Sequence, residues 1–154
     1  MKVRAITLWR PWTTAILHGP KRVENRPRRW HIPNEGMLLA IHGGKKFDQR
    51  GAAAIRELWP QLDDYDHPMG IVGACRVTDV QAIDAKLIEE NPWAFGPYCY
   101  FLEDVVAFSV PVPLKGQMGL FRLEPHLEAW VVGSWEEGLG EPGKAGCASG
   151  GLFE

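Results

Sequence analysis

The chain has 154 residues, of which 45% are apolar and 23% are charged. This length accommodates one domain with a sizeable core, and the composition excludes a disordered or collagen-like chain. No apolar run reaches the roughly 18 to 20 residues that a membrane-spanning helix needs, and the N-terminus lacks the apolar stretch of a signal peptide. We therefore expect a cytoplasmic protein that makes no contact with membranes.

The first half of the chain is predicted to alternate strands and short helices. Residues 3–8 alternate in the manner of a strand, and the segment from Pro11 to Gly19 predicts a short helix, because proline suits a helix start and glycine a helix stop. A second strand is expected to begin at Val23. The apolar run 36–44 predicts a buried strand that opens into a glycine turn. Asp48 is predicted to cap a helix that ends before Pro60.

The second half is predicted to be richer in strands. An acidic loop over residues 61–70 leads into a β-branched strand up to Asp79. A short helix over residues 85–91 follows, and then a turn whose aromatic side chains are predicted to fill the core. Residues 98–113 predict two strands around Glu103 and Asp104, and residues 119–123 predict a closing strand.

These elements predict an α+β domain over residues 1–132, followed by a glycine-rich C-terminal tail over residues 133–154. Five or six short strands with two or three helices, without regular alternation of strand and helix, favour a small barrel or a strongly curled sheet with flanking short helices.

The formal net charge of -2 hides a strong asymmetry. Residues 1–56 contain 12 Lys or Arg against 3 Asp or Glu, whereas the remaining residues contain 5 against 16. Such asymmetry indicates a surface that meets an anion, most often nucleic acid. The densest basic segment is HGPKRVENRPRRW, His18 to Trp30, in which Glu24 is the single carboxylate.

The same segment contains the spacing GxKxxExR, formed by Gly19, Lys21, Glu24 and Arg26. Together with the preceding LWRPW, the later FGPYCYFLED and the VPVPLKGQMGLFRL stretch, it resembles the ASCH (activating signal cointegrator homology) family over about residues 6–123. The resemblance implies a PUA-like small β-barrel, a cleft lined by the GxKxxExR loop and a role in RNA or other nucleic-acid transactions. Some members resemble ribonucleases or other hydrolases. Amidohydrolases of this family have a threonine where this chain has Glu24.

The chemistry of the predicted cleft rests on Lys21, Glu24 and Arg26. Arg26 offers a planar fork for a phosphate or for Glu24, and Lys21 is a compact charge. At strand spacing, Glu24 and Arg26 point to the same face. They form either a structural ion pair or a ligand-binding pair.

Further candidate ligand residues flank this group. A basic track at the surface, formed by Arg22, Arg28 and Arg29 and reinforced by Lys45, Lys46 and Arg50, is predicted to give salt-dependent binding of phosphates. Trp12 is predicted to line the cleft, and His42 to serve as an acid or base. The turn PLKG could bring another cation to the cleft. The additional candidates are Trp12, Arg22, Arg28, Arg29, His42, Lys45, Lys46 and Lys115, and the aromatic side chains that could stack on bases are Trp9, Trp12, Trp30 and Tyr98.

Three functions remain open at this point. The first is binding of nucleic acid, RNA foremost, through the basic cleft. The second is a metal-independent hydrolase acting on RNA or on a modified nucleoside, with Lys21 and Glu24 as catalytic residues. The third is a protein-interaction module that uses the acidic half or the tail. The chain has no Walker loop, HExxH or GxSxG motif and no recognisable metal-ligand set, so we expect no cofactor and no metal.

Overall fold

The computed structural model describes residues 1–63 and 67–141, which form six strands and four helices. The predicted α+β class is confirmed. In chain order the elements are β1 (Lys2–Arg10), α1 (Trp12–Leu17), β2 (Val23–Arg26), β3 (Met37–Phe47), α2 (Gln49–Leu58), β4 (Gly70–Ala82), α3 (Ala85–Glu90), β5 (Tyr98–Val112), β6 (Leu120–Phe121) and α4 (Pro125–Gly140). None of the helices in these ranges is long and apolar enough to cross a membrane.

The strands form one mixed sheet in the order β2-β5-β4-β3-β1-β6. β1 and β3 are parallel, and the other neighbouring strands are antiparallel. A parallel pair requires a long crossover connection, which here contains α1 and β2. In the described part of the chain the ladder ends at β2 on one side and β6 on the other, so closure into a barrel stays a prediction.

The sheet is buried on both faces in its centre. Leu39 and Ile41 of β3 belong to one apolar cluster, and Leu38 and Ala40 belong to another. Because neighbouring residues of a strand face opposite sides, β3 is a continuous apolar run instead of an alternating one. Helix α1 packs into the first cluster, and α4 packs into the second.

Two strands continue where the sequence predicted an interruption. β3 continues through its two glycines. A Cβ on Gly43 would lie 2.6 Å from the carbonyl oxygen of Pro68, so only glycine permits the close approach of these two segments. β5 is one strand of 15 residues, not two. Its pairing with β4 shifts register several times, and Asp104 takes the left-handed conformation with φ 51°. These bulges bend β5 without ending it.

Helix α4 passes through the domain boundary predicted after residue 132. Val131 and Trp135 face the core from successive turns, and the indole Nε1 of Trp135 donates a hydrogen bond of 2.8 Å to the carbonyl oxygen of Asp104. The helix therefore covers the sheet up to Gly140. Residues 142–154, most of the predicted tail, lie outside the described residues, and so does part of the predicted acidic loop.

Trp135→Ala is expected to lower the free energy of unfolding by about 3 kcal/mol, because it leaves a cavity in the second cluster. Urea denaturation followed by circular dichroism measures this loss. Glu136→Ala, an exposed neighbour on the same helix, should stay within about 0.5 kcal/mol of the parent protein. Equal midpoints for the two variants would show that α4 does not stabilise the sheet beyond residue 132.

Candidate functional site

A cleft of about 1320 Å³ opens at one end of the sheet. It is lined by the ends of β1 and β3, by α1 and β2, and by the loop that joins β5 to β6. Five cationic side chains but only two carboxylates line it, and the volume suits a ligand of nucleotide size or larger. The predicted site residues that the cleft brings together are Trp12, Lys21, Glu24, Arg26, His42, Lys45, Lys46 and Lys115.

A buried carboxylate bridges two cations on the cleft floor. Lys21 is only 2% exposed, and its Nζ donates to Oε1 of Glu24 over 2.9 Å. Oε2 of Glu24 accepts from Nη1 of Arg26 over 3.3 Å. Glu24 and Arg26 form an ion pair, and this pair lines the cleft. The geometry is therefore compatible with a structural ion pair and with a ligand-binding pair. The group of three carries one net positive charge.

Local backbone structure places this group of three. Glu24 and Arg26 lie two residues apart on β2 and so share one face of the strand. Lys21 precedes the strand, and its backbone N–H donates to the carbonyl oxygen of Ala15 in α1 over 3.0 Å. The turn between α1 and β2 thus presents the lysine to the cleft.

Trp12 forms part of the floor and is oriented by the cap of the next helix. Its Nε1 donates to Oδ2 of Asp48 over 2.9 Å, while Oδ1 of Asp48 accepts from the N–H of Gly51 over 2.8 Å and caps α2. The Nζ of Lys21 lies 5.5 Å from the centre of the Trp12 ring. One carboxylate therefore fixes both the helix start and the aromatic surface beside Lys21.

His42 holds a wall of the cleft in place. Its Nε2 donates to the carbonyl oxygen of Leu114 over 2.6 Å, so its Nδ1 accepts from the hydroxyl of Thr7 over 3.1 Å in the neutral ring. The oxygen of Thr7 also accepts from the N–H of Gln117 over 3.1 Å. Both ring nitrogens are engaged, which makes His42 a positioning residue for the loop that carries Lys115.

The rim of the cleft is aromatic and basic. Trp9 is 50% exposed, and the Nζ of Lys46 lies 4.7 Å from its ring centre. Phe95, in the turn that follows α3, also lines the cleft and is 55% exposed. Asn25 fixes this turn, since its side chain accepts from the N–H groups of Phe95 and Gly96 and donates to the carbonyl oxygen of Trp93.

The sequence does not single out Phe95 as a site residue, because the aromatic side chains of the turn over residues 92–97 are all predicted to fill the core. Trp93 does so and is buried, whereas Phe95 points outward. The signal that could have separated them is Asn25, which can organise a turn through its amide. Its partners are about 70 residues distant in sequence, and spacing alone does not show them.

The predicted basic track is only partly assembled. Of its members, Lys45 and Lys46 line the cleft, together with Lys115 of the PLKG turn, but Arg22 is not the surface residue that the sequence predicted. Nη1 of Arg22 donates to the carbonyl oxygens of Ile16, Gly19 and Lys21, and burial lowers the pKa of its guanidinium. It closes the turn before β2. The remaining predicted members of the track, Arg28, Arg29 and Arg50, are exposed and lie outside the cleft.

Two known proteins are similar to this chain. Human activating signal cointegrator 1 is 21% identical over an alignment of 132 residues, and the match covers 79% of this chain and 22% of that protein. A crystal structure of a mutant ZmASCH protein from Zymomonas mobilis superposes with a TM-score of 0.56 at 16% identity, covering 86% of this chain and 95% of that one. No family model matches the chain.

The chain has the fold of an ASCH domain. Together with the GxKxxExR spacing, these likenesses support its assignment to the ASCH domain family, as the motifs predicted. The chain spans about a fifth of the length of the human relative, so the resemblance concerns only that part of the protein. In this fold the motif residues Lys21, Glu24 and Arg26 form the cleft floor.

We expect strong energetic coupling between Lys21 and Glu24. A double-mutant cycle with Lys21→Met and Glu24→Gln should give a coupling energy of about 2 kcal/mol, because either single change leaves a buried charge short of a partner. The matched control is the more exposed pair of Arg76 and Glu103, whose side chains are 30% and 58% exposed and whose charged atoms lie 3.5 Å apart. Its cycle should give less than about 0.5 kcal/mol. Similar coupling in both cycles would contradict the buried bridge.

Thr7→Val is expected to loosen the loop between β5 and β6 without loss of side-chain volume. The N–H of Gln117 loses its acceptor, so its hydrogen exchange should speed up about fivefold, whereas Thr7→Ser should restore protection. The N–H of Gly36, bonded to the carbonyl oxygen of Pro33, is the internal control. Unchanged exchange at Gln117 in the valine variant would show that the hydroxyl does not hold the loop.

Proposed function

We propose that the cleft binds nucleic acid, RNA foremost. The observation that carries this proposal is the combination, in one cleft, of five cationic side chains with exposed aromatic rings at the rim. Phosphates contribute affinity through cations, and unpaired bases contribute affinity by stacking on aromatic side chains. Neither an apolar ligand nor a small inorganic anion would use both features.

Each part of the cleft suits a different part of a nucleotide. Lys45, Lys46 and Lys115 are exposed around the opening, where the phosphates of a chain would pass. A base that stacks on Trp9 would take the position above the ring that the ammonium group of Lys46 now occupies. Since sequence-specific RNA recognition targets chiefly unstacked bases of single strands, the exposed aromatic rings at the rim favour an unpaired base over a duplex.

The floor presents both donors and acceptors to such a base. Lys21 and Arg26 offer N–H groups, and the carboxylate of Glu24 between them offers lone pairs. The Watson–Crick edges of guanine, cytosine and adenine each combine donors with acceptors, so an edge could be read without movement of the buried bridge. Preorganised groups of this kind reduce the entropy cost of binding.

We also infer that the sheet curls into the PUA-like barrel implied by the resemblance. Glu24 lies on β2 and Trp9 on β1, and three strands separate these two in the ladder. Both residues nevertheless line the same cleft. Strong curling of the sheet, which brings β2 towards β1, accounts for this juxtaposition.

The alternative is a hydrolase that acts on RNA or a modified nucleoside without a metal. The observation that favours it is the buried pair of Lys21 and Glu24 at the bottom of the cleft, since buried charged pairs recur in active sites. Cleavage of RNA needs a base for the 2′-hydroxyl, an acid for the leaving oxygen and a cation for the phosphorane. Lys21, Glu24 and Arg26 are the residues for these roles, because both ring nitrogens of His42 are engaged.

Binding of labelled single-stranded RNA, single-stranded DNA and duplex RNA across a salt series tests the proposal. For single strands, each phosphate contact contributes about 0.7 to the slope of log K against log salt. Lys46→Ala should reduce that slope by about this amount, whereas Lys86→Ala, an exposed lysine of α3 outside the cleft, should leave it unchanged. A binding constant that depends neither on salt nor on the Lys46 side chain would contradict the proposal and favour a protein partner.

The same samples distinguish the binder from the hydrolase. Intact RNA after long incubation in EDTA is the result expected of a binder. RNA fragments that accumulate with the parent protein but not with Lys21→Met would establish the hydrolase instead. The unfolding midpoint of Lys21→Met must be recorded alongside, and Glu24→Gln provides a second variant should the first fail to fold.

A further inference from the structure

The segment that follows β2 leads away from the cleft in a fixed conformation. The hydroxyl of Tyr100 donates to the carbonyl oxygen of Arg28 and accepts from the N–H of Trp30, each over 2.5 Å. Burial raises the pKa of Tyr100, so the hydroxyl keeps the proton that it donates. The rings of Trp30 and Tyr100 lie 4.5 Å apart. One buried side chain thus holds both ends of the segment 28–30, and Arg29 lies between the two anchored residues.

A second groove of about 290 Å³ lies beside this segment. Arg29, Trp30 and His31 line one part of it, and Thr78 and Asp79 of β4 line another. The guanidinium of Arg29 lies 5.9 Å from the ring centre of Tyr98. The lining is mainly polar. Arg28, although adjacent and exposed, does not line the groove.

Arg26 connects the groove with the cleft. Its Nη1 contacts Glu24 on the cleft floor, and its guanidinium carbon lies 5.7 Å from the ring centre of Trp30, which lines the groove. In the sheet, Arg26 pairs with Tyr98, the residue beneath Arg29. A path therefore leads from the cleft to the groove. The guanidinium groups of Arg26 and Arg29 lie at its ends, and the rings of Trp30 and Tyr98 lie between them.

We propose that this groove is a second nucleotide subsite, which takes the nucleotide next to the one in the cleft. The inference rests on the proposed function and specifies its ligand as a chain of linked nucleotides, not a single nucleotide. Arg29 contacts a phosphate of that chain, since the guanidinium fork matches phosphate oxygens. Trp30 offers an apolar surface next to the path.

The groove favours a nucleoside over a second bare phosphate. The carboxylate of Asp79 lines it and repels phosphate, and its Oδ1 is held by the N–H of Val80 over 2.8 Å. A carboxylate accepts hydrogen bonds from hydroxyl and amino groups, which ribose and bases supply. Thr78 and His31 add further polar groups. The phosphate contact is consequently assigned to Arg29 and the nucleoside contacts to the other side of the groove.

The test compares ligands of increasing length with two variants of equal charge. Binding of a mononucleotide and of single-stranded RNAs from dinucleotide to octanucleotide is measured for the parent protein, Arg29→Ala and Arg28→Ala. Arg29→Ala should weaken binding of the longer RNAs about fivefold and reduce their salt slope by about 0.7, with no change for the mononucleotide. Arg28→Ala removes the same charge from the neighbouring position and should have a clearly smaller effect at every length.

The outcomes separate this inference from the proposed function. If RNA binds in a salt-dependent manner but the two variants behave alike, or if affinity does not rise with length, the second subsite is wrong and the cleft proposal stands. If the parent protein binds none of the RNAs, the proposed function is wrong and the subsite with it. Arg29→Lys, which keeps the charge, should retain the salt slope. Unfolding midpoints should not change in any of the three variants, because both side chains are exposed.

Discussion

The burial of Lys21 constrains the rest of the site. An ammonium group that is 2% exposed requires a partner, and Glu24 provides it at 2.9 Å. This requirement fixes the turn after α1, the start of β2 and the face of β2 that Arg26 shares. Because the carboxylate is bound on both oxygens, the cleft floor is rigid before any ligand arrives. A cleft with a mobile lysine would lose this arrangement and spend part of its binding energy on ordering the side chain.

Around this floor, single polar side chains hold the walls. Asp48 caps α2 and orients Trp12, His42 connects Thr7 to the loop that carries Lys115, and Asn25 fixes the turn that exposes Phe95. Each of them uses its hydrogen bonds on a different segment of the chain. Within residues 1–63 and 67–141, no side-chain hydrogen bond holds Lys45, Lys46 or Lys115, although Lys46 contacts the Trp9 ring, so these lysines can adapt to the course of a phosphate chain. The cleft thus has rigid aromatic and charged groups inside and adaptable lysines at its opening. This arrangement suits a ligand with one inserted base and a flexible backbone.

The sequence predicted local features of this molecule well and distant ones poorly. Helix caps such as Asp48 and the shared face of Glu24 and Arg26 follow from spacing within a few residues, and the structure contains both. The exposure of Phe95 and the burial of Arg22 depend on contacts that spacing does not reveal. β5 was divided into two strands because polar residues interrupt its apolar pattern, yet register shifts against β4 allow the strand to continue. The continuation of α4 beyond residue 132 likewise depends on the packing of Trp135 against the sheet.

The charge asymmetry of the sequence becomes a spatial one at the cleft. Helix α4, which carries Glu128, Glu136 and Glu137, contributes no residue to the cleft lining. The lining itself combines five cations with two carboxylates, although the whole chain has a formal charge of -2. A polyanion would be repelled by the carboxylates of α4 and attracted to the cations of the cleft. The electrostatic field of the protein would therefore orient the polyanion before contact. This steering weakens when salt shortens the Debye length below about 10 Å, whereas the contacts on the buried floor are screened much less. Under the proposed function, salt should therefore affect the association rate more than the dissociation rate, because the exposed cations steer the ligand whereas contacts on the buried floor are screened less.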